Sequence, residues 1–286
     1  MNTVLWSKGP YNDSYNKKQT GFVEEENNII EHMKKYNGKI LWIRIGYVES
    51  LSYSDLDIVA NNLQYITKPT LLLTSDGDRC VPSGYDMNTV KKIFECKNIV
   101  KWNTQNYDKT IDHEKLKYFP IGFDFHTNHD IENELVFMLH SALKLKEKNE
   151  THVFFDSHVN ISNISRIHIF QMFIDNPNFK FIKNRMPFTS ITNIYNQFLF
   201  VISPEGNGLD CHRTWELFLA GCIVIKKSGP LDNMFIENDL PVVIIDDWDT
   251  LNDDLPNKLK QWKEQFIEFT DIRHIYERLR FEYWLK

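Results

Sequence analysis

The chain has 286 residues, of which 42% are hydrophobic and 25% charged, enough to bury the cores of two α/β domains with the balance of an ordinary globular protein. A formal charge of −6 argues against a duplex-DNA binder that relies on a basic face, so no nucleic-acid partner is expected. Cys80, Cys96, Cys211 and Cys222 form no CxxC pair, which removes the sequence case for a zinc site or a thioredoxin-like motif. No apolar run reaches membrane-spanning length, so the expectation is a chain with no transmembrane segment, reduced thiols and a cytoplasmic location.

In chain order, apolar periodicity predicts helices near Glu24–Lys35, Ser54–Gln64 and Met87–Phe94, alternating with strands Ile40–Ile45, Thr70–Thr74 and Tyr118–Ile121. That alternation belongs to a parallel sheet. Ile131–Glu147 has helical spacing and runs into KEKNE, making residues 145–151 the expected linker. A second α/β unit follows, with strands Val153–Phe155, Phe179–Ile182, Phe198–Ser203, Cys222–Ile225 and Pro241–Ile245. Helices are expected at Arg166–Phe173, Ile191–Gln197 and Cys211–Ala220, and C-terminal helices at Leu251–Phe269 and Ile272–Leu285. The domains read as 1–148 and 149–271, with 272–286 returning to the first. No internal repeat or low-complexity tract interrupts them.

The densest chemistry lies in residues 198–225, FLFVISPEGNGLDCHRTWELFLAGCIVI. A buried run stops at Ser203-Pro204, glycines alternate with Glu205 and Asn207, and a helix opens near Asp210, which is placed to cap its first turn. Arg213 and Glu216 are three apart and His212 and Glu216 four apart, so the three share one helix face. A cation, a carboxylate and helix-terminal amides therefore meet at the edge where α/β sheets bind ligands. Trp215 reads as a core anchor, Cys211 and Cys222 as packing residues, and Lys226 and Lys227 as solvated or as further cations.

The segment SPEGNGLDCHRTWE, followed by GC, an apolar strand and LPVVIIDDW, resembles the donor-binding half of exostosin-like glycosyltransferases, in particular the short soluble forms carried by large DNA viruses. WNTQNYD (102–108) and YFPIGFDFHT (118–127) are similar to weaker signatures of that group. The resemblance covers about residues 70–250 and implies a GT-B architecture of two Rossmann-like domains facing each other across a cleft. It implies an inverting transferase with a UDP-sugar donor, such as UDP-xylose or UDP-glucuronic acid, and a glycan acceptor. A viral origin would make the location the host cytoplasm.

Sugar transfer gives the residues roles. A departing nucleotide diphosphate develops negative charge, which Arg213, Arg166 and the amides of Gly206, Asn207, Gly208 and Asp210 are suited to hold without a metal or other cofactor. Glu216 can accept from two vicinal ribose hydroxyls, with Glu205 nearer the sugar or phosphates. The acceptor needs a base from the N-terminal domain. Tyr47, Glu49, Asp76, Asp78, Asp124 and His126 follow its strands, with Asp78 preferred and Asp124 second. Two other readings stay open. Asp76-Gly77-Asp78 looks like the Asp-x-Asp with which GT-A-like enzymes bind a divalent metal, and the chain could also be a non-catalytic nucleotide-sugar or glycan-binding protein. There is no GxxxxGK[ST], so a P-loop NTPase is disfavoured.

Overall fold

The computed structural model describes residues 4–7, 24–46, 54–124, 147–156, 164–182 and 186–286, and the side chains from Arg166 onward in the segment that begins at 164. The helix expected at 131–147 lies outside this description apart from Glu147, as do Tyr47, Glu49, His126, Ser157 and His158. The chain divides into two compact units. One comprises Met1–Ile121, Gly208–Asp210 and Arg280–Lys286, and the other Gly122–Asn207 and Cys211–Leu279. Each unit carries a parallel sheet, the α/β class expected. Among the described residues, no helix is long and apolar enough to cross a membrane.

In the first unit, strands β1 (Ile40–Arg44), β2 (Thr70–Ser75), β3 (Ile99–Thr104) and β4 (Leu116–Tyr118) lie in that spatial order, every pair parallel. Helices α1 (Glu26–Tyr36), α2 (Asp55–Asn61) and α3 (Met87–Glu95) contribute Ile29, Met33, Leu56, Val90 and Ile93 to a core with Leu41, Leu72 and Trp102. A capping box starts α2: Ser54 N donates to Asp57 Oδ2 at 2.7 Å, and Asp57 N to Ser54 Oγ at 3.3 Å. Asp57 also accepts from Thr89 Oγ1 at 2.6 Å, pinning α2 to α3.

Strand β3 has no counterpart among the sequence-derived strands, because its buried positions are partly polar. Asn103 and Thr104 are fully buried while Val100 is half exposed, which inverts the usual pattern. Tertiary hydrogen bonds compensate: Thr74 Oγ1 donates to Thr104 Oγ1 at 2.7 Å, Trp102 Nε1 to Thr74 Oγ1 at 2.8 Å, and Asn103 Nδ2 to the Trp284 carbonyl at 2.6 Å.

The second unit orders its strands β6 (Phe179–Ile182), β5 (Asn149–Asp156), β7 (Phe198–Ile202), β8 (Ile223–Lys227) and β9 (Val242–Ile245). Its helices are α4 (Ile164–Phe173), α5 (Phe188–Tyr195), α6 (His212–Leu219), α7 (Asp232–Ile236), α8 (Leu255–Phe266) and α9 (Ile272–Arg278). Val153, Phe155, Phe200, Ile202, Ile223 and Val243 form its core. The near-continuous apolar runs of β7 and β8 are those of strands covered on both faces.

Part of the expected linker is strand. Asn149–Thr151 open β5, with Asn149 N donating to the Gln197 carbonyl at 2.7 Å, and Lys148 Nζ reaches the carbonyls of Tyr195 and Phe198 at 3.3 and 3.2 Å. That cation serves the C-terminal end of α5, so this charged stretch is structural. The expected helix Ile272–Leu285 breaks at Leu279. Asp271 caps α9, which stays with the second unit, and a 3-10 turn, Phe281–Leu285, packs in the first through Phe281 against Phe119 and the Trp284 carbonyl on Asn103.

Candidate functional site

The second sheet has its topological switch point between β5 and β7. The chain leaves β5 through α4 to reach β6 on one side, and later continues from β7 through α6 to β8 on the other. The crevice outside the carboxyl ends of β5 and β7 is where such sheets bind ligands. Asp156 ends β5, and the loop after β7 carries Ser203 to Asn207.

Arg213, in the first turn of α6, reaches back to Asp156: Nη2 lies 3.1 Å from Oδ2, and Nη1 donates to the Asp156 carbonyl at 3.2 Å. Both side chains are at least nine-tenths buried. Tyr195 Oη donates to the same Asp156 Oδ2 at 3.0 Å. Burial raises the Tyr195 pKa well above its ordinary value, so the phenol stays neutral and donates. Burial alone would lower the pKa of Arg213, but the surrounding Tyr195, Asp156, Cys211 and Glu216 hold it above its usual range. Arg166 joins this group from α4. Its Nε donates to the Glu205 carbonyl at 3.3 Å and its Nη2 to Cys211 Sγ at 3.7 Å, and it is only partly buried. Burial lowers its pKa first and the Arg213 charge lowers it further, the signature of two cations held close together.

The structure thus brings together Arg166, Glu205, Arg213 and Glu216 of the residues singled out from sequence. Glu205 and Asn207 are exposed, Glu216 is half-buried, and Gly206 lies against the Arg166 guanidinium, where an added Cβ would sit 3.6 Å from Nη2. Asp210 does not cap the helix. Cys211 is the N-cap by its backbone, its side chain making no capping bond to the helix amides, and the Asp210 carboxylate accepts from Ile121 N at 2.8 Å. The Asp210 amide donates to Asn106 Oδ1 at 2.9 Å, so this residue is spent on backbone-like bonds inside the first unit. Gly208 packs on the same asparagine, where a Cβ would come within 2.7 Å of Nδ2. His212 Nδ1 is 2.8 Å from the Gly122 carbonyl, and Trp215 is a fully buried core anchor against Phe218. Lys226 departs from the solvated reading: it is buried, and only Lys227 is exposed.

In the first unit, Asp76-Gly77-Asp78 is a packed turn at the carboxyl end of β2. Asp76 is buried at φ 65°, with its amide donating to Gln105 Oε1 at 3.0 Å. Gly77 offers its carbonyl to Gln105 Nε2 and Asn106 Nδ2 at 2.8 and 3.1 Å, and a Cβ there would lie 2.9 Å from the backbone of Ile45. Asp78 alone of the three is exposed. Asp124 is half-buried and groups with the second unit, not with the N-terminal one from which a base was expected. Among the described residues, no three His, Cys, Asp or Glu side chains cluster as metal ligands would.

Sequence reasoning missed Asp156, Tyr195 and Asn106. Asp156 offered a signal, an acidic residue ending the first apolar strand of the second unit. Tyr195 offered none, because its role depends on a contact 39 positions away, and Asn106, although inside WNTQNYD, gave no sign of its own contact 104 positions away.

No protein-family model matches the chain, and no curated protein matches it by sequence. Among solved structures it is similar to the pneumococcal O-GlcNAc transferase GtfA, solved in complex with UDP and GlcNAc. That match has a TM-score of 0.41 and 10% identity, over 91% of this chain and 58% of GtfA. It is also similar to WaaG, a glycosyltransferase involved in lipopolysaccharide biosynthesis, with a TM-score of 0.33 and 10% identity over 76% of this chain and 64% of that one. The chain therefore spans less than two thirds of either neighbour.

Proposed function

We propose that this chain is a GT-B glycosyltransferase of the exostosin-like kind, moving a sugar from a UDP-sugar to a glycan hydroxyl with inversion. The observation that carries the reading is the convergence of Arg166 and Arg213 at the switch point of the second sheet, beside the N-terminus of α6. Guanidiniums and helix-terminal amides are the groups that stabilise a leaving diphosphate, and here the buried Asp156 fixes one guanidinium while the other stays accessible. Glu216 accepts the ribose hydroxyls. The choice of uridine follows the sequence resemblance.

In this reading the acceptor oxygen attacks the anomeric carbon as the bond to the diphosphate oxygen breaks on the opposite face. The hydroxyl proton passes to a carboxylate, Asp78 first and Asp124 second, and the electron pair leaves with UDP. Arg166 and Arg213 take the charge that a metal would otherwise hold. Calorimetric titration with UDP tests the site: wild type binds, and Arg166→Ala weakens binding by roughly tenfold or more, the scale of a lost charge-assisted hydrogen bond. Unchanged UDP affinity in a folded Arg166→Ala variant would remove the switch-point cations from the site.

A further inference from the structure

Strand β9 is the last in the spatial order of the second sheet, so among the described residues one of its sides carries no strand. Val224 N and Ser228 N donate to the carbonyls of Pro241 and Ile245, both at 2.8 Å. Peptide groups alternate in direction along a strand, so Val242 and Ile244 turn theirs to the open side. Val242 N is spent locally on the Leu240 carbonyl at 2.7 Å, which leaves the Val242 carbonyl and the N–H and C=O of Ile244 facing the edge. Along that edge runs a cavity of about 450 Å³, walled by Val242 and Ile244, by Ile236 and Leu240 at the end of α7 and beyond it, and by Trp262, Phe266 and Phe269 from α8 and the turn after it. Ile236 is 61% exposed, the most of any large apolar side chain among the described residues. None of these residues belongs to the proposed donor site.

The stretch that builds this wall is acidic. Residues 231–279 hold twelve Asp and Glu against five Lys and Arg, a balance of −7 in a chain whose total is −6. Three of the five cations are already engaged: Lys258 on the Thr250 carbonyl, Lys263 with Glu150 at 2.5 Å, and Arg278 with Asp239 at 3.6 Å and the His274 carbonyl at 3.1 Å. Asp239 lines the cavity and stays exposed, and Glu237, Asp246 and Glu268, which adjoin wall residues in the chain, are exposed too. An open strand edge calls for an extended peptide, an aromatic and aliphatic wall calls for apolar side chains, and an acidic rim calls for cations. We propose that this edge binds an extended segment of a partner protein, rich in lysine or arginine and in apolar residues, which adds to β9 as a further strand. A second copy of this chain fits less well, because its own β9 runs straight into Asp246 and Asp247 and would bring like charges together. An anionic membrane meets the same repulsion.

The test titrates the intact chain by calorimetry with two capped heptapeptides, one alternating lysine and valine, the other glutamate and valine. The lysine peptide is expected to bind roughly tenfold or more tightly than the glutamate peptide at low salt, and to lose that advantage near about 1 M salt. Methylating one alternate set of its amide nitrogens should abolish binding and methylating the other set should spare it, since only one set faces β9. Ile236→Lys, at an exposed position, should weaken the lysine peptide by roughly tenfold or more without moving the thermal unfolding midpoint. If that variant does not fold, the methylated peptides decide. No binding of the lysine peptide, equal affinities for the two peptides, or indifference to both methylation patterns would overturn the proposal. Concentration-dependent dimerisation in sedimentation that Ile236→Lys removes would give the edge to a second copy, and binding to phosphatidylserine vesicles that the same variant removes would give it to a membrane; either result overturns the proposal.

Discussion

Arg213 and Asp156, 57 positions apart, form a buried ion pair in which the guanidinium engages both the carboxylate and the main-chain carbonyl of its partner. Two-point contact fixes the plane of the guanidinium, which a lysine in its place cannot reproduce. The pair therefore couples the end of β5 to the first turn of α6, and the stability of the second unit to the geometry of its proposed ligand site.

Removing one partner of such a pair strands a buried charge. Asp156→Asn is expected to destabilise the protein by about 3–5 kcal/mol in urea unfolding and to weaken UDP binding, although Asp156 is placed behind the cation and not on the ligand. The double variant Asp156→Leu/Arg213→Met should recover most of the stability and none of the UDP affinity. If it binds UDP as wild type does, the pair is purely structural.

Glu216 is half-buried and contributes to the field at both Arg213 and Tyr195. Glu216→Gln keeps the shape and removes the charged acceptor, so UDP affinity should fall by an amount on the order of 1–3 kcal/mol. The same variant should leave pyrophosphate affinity nearly unchanged, since the loss is at the ribose. Equal losses for both ligands would move Glu216 from the ribose to the phosphates.

Gly208 lies against Asn106, whose amide is held by the Asp210 amide and the Gly77 carbonyl. Gly208→Ala forces that side chain to shift, and a loss of roughly 1–3 kcal/mol is expected, as for other overpacked sites. Asn106→Ala should lose a similar amount through its unsatisfied partners. In the double variant the two losses should not add, because the added methyl occupies space the asparagine has vacated. Strict additivity would show that the contact is not the source of the cost.

His32 is buried, with its Nε2 2.9 Å from the Trp42 carbonyl, and burial lowers its pKa to about 4. Its unfolded value is near 6.5, so between those limits the unfolded chain binds the proton and the folded chain does not. Stability must therefore fall as pH falls through this window, by about 2 kcal/mol between pH 8 and pH 5 from this residue. Denaturant unfolding across that range should show the slope, and His32→Gln should flatten it. An unchanged slope in the variant would assign the effect to other groups.

What was legible in the sequence follows from what local pattern records. The runs Phe198–Ile202 and Ile223–Ile225 announce buried parallel strands, and EGNGLDCHRTWE announces a turn and helix with cations and carboxylates on one face. Strand β3 was not legible, since Asn103 and Thr104 are buried by virtue of tertiary partners that periodicity does not see. The cap assigned to Asp210 failed for the same reason: Ile121, 89 positions away, competes for its carboxylate and wins. Lys226 was indistinguishable from Lys227 in sequence, and only the packing of β8 against β7 and Phe235 separates a buried ammonium from a solvated one.

The most direct test is a transfer and hydrolysis assay across UDP-sugars, run with and without EDTA, for wild type and Asp78→Asn. Wild type is expected to release UDP from at least one UDP-sugar at a rate that chelation leaves unchanged. The Asp78→Asn variant is expected to bind UDP normally and to lose transfer by on the order of 10²-fold or more, the scale of a missing general base. Activity that vanishes in EDTA and returns with Mn²⁺ would contradict the metal-free mechanism, and UDP that binds without any donor being turned over would contradict the assignment as a transferase.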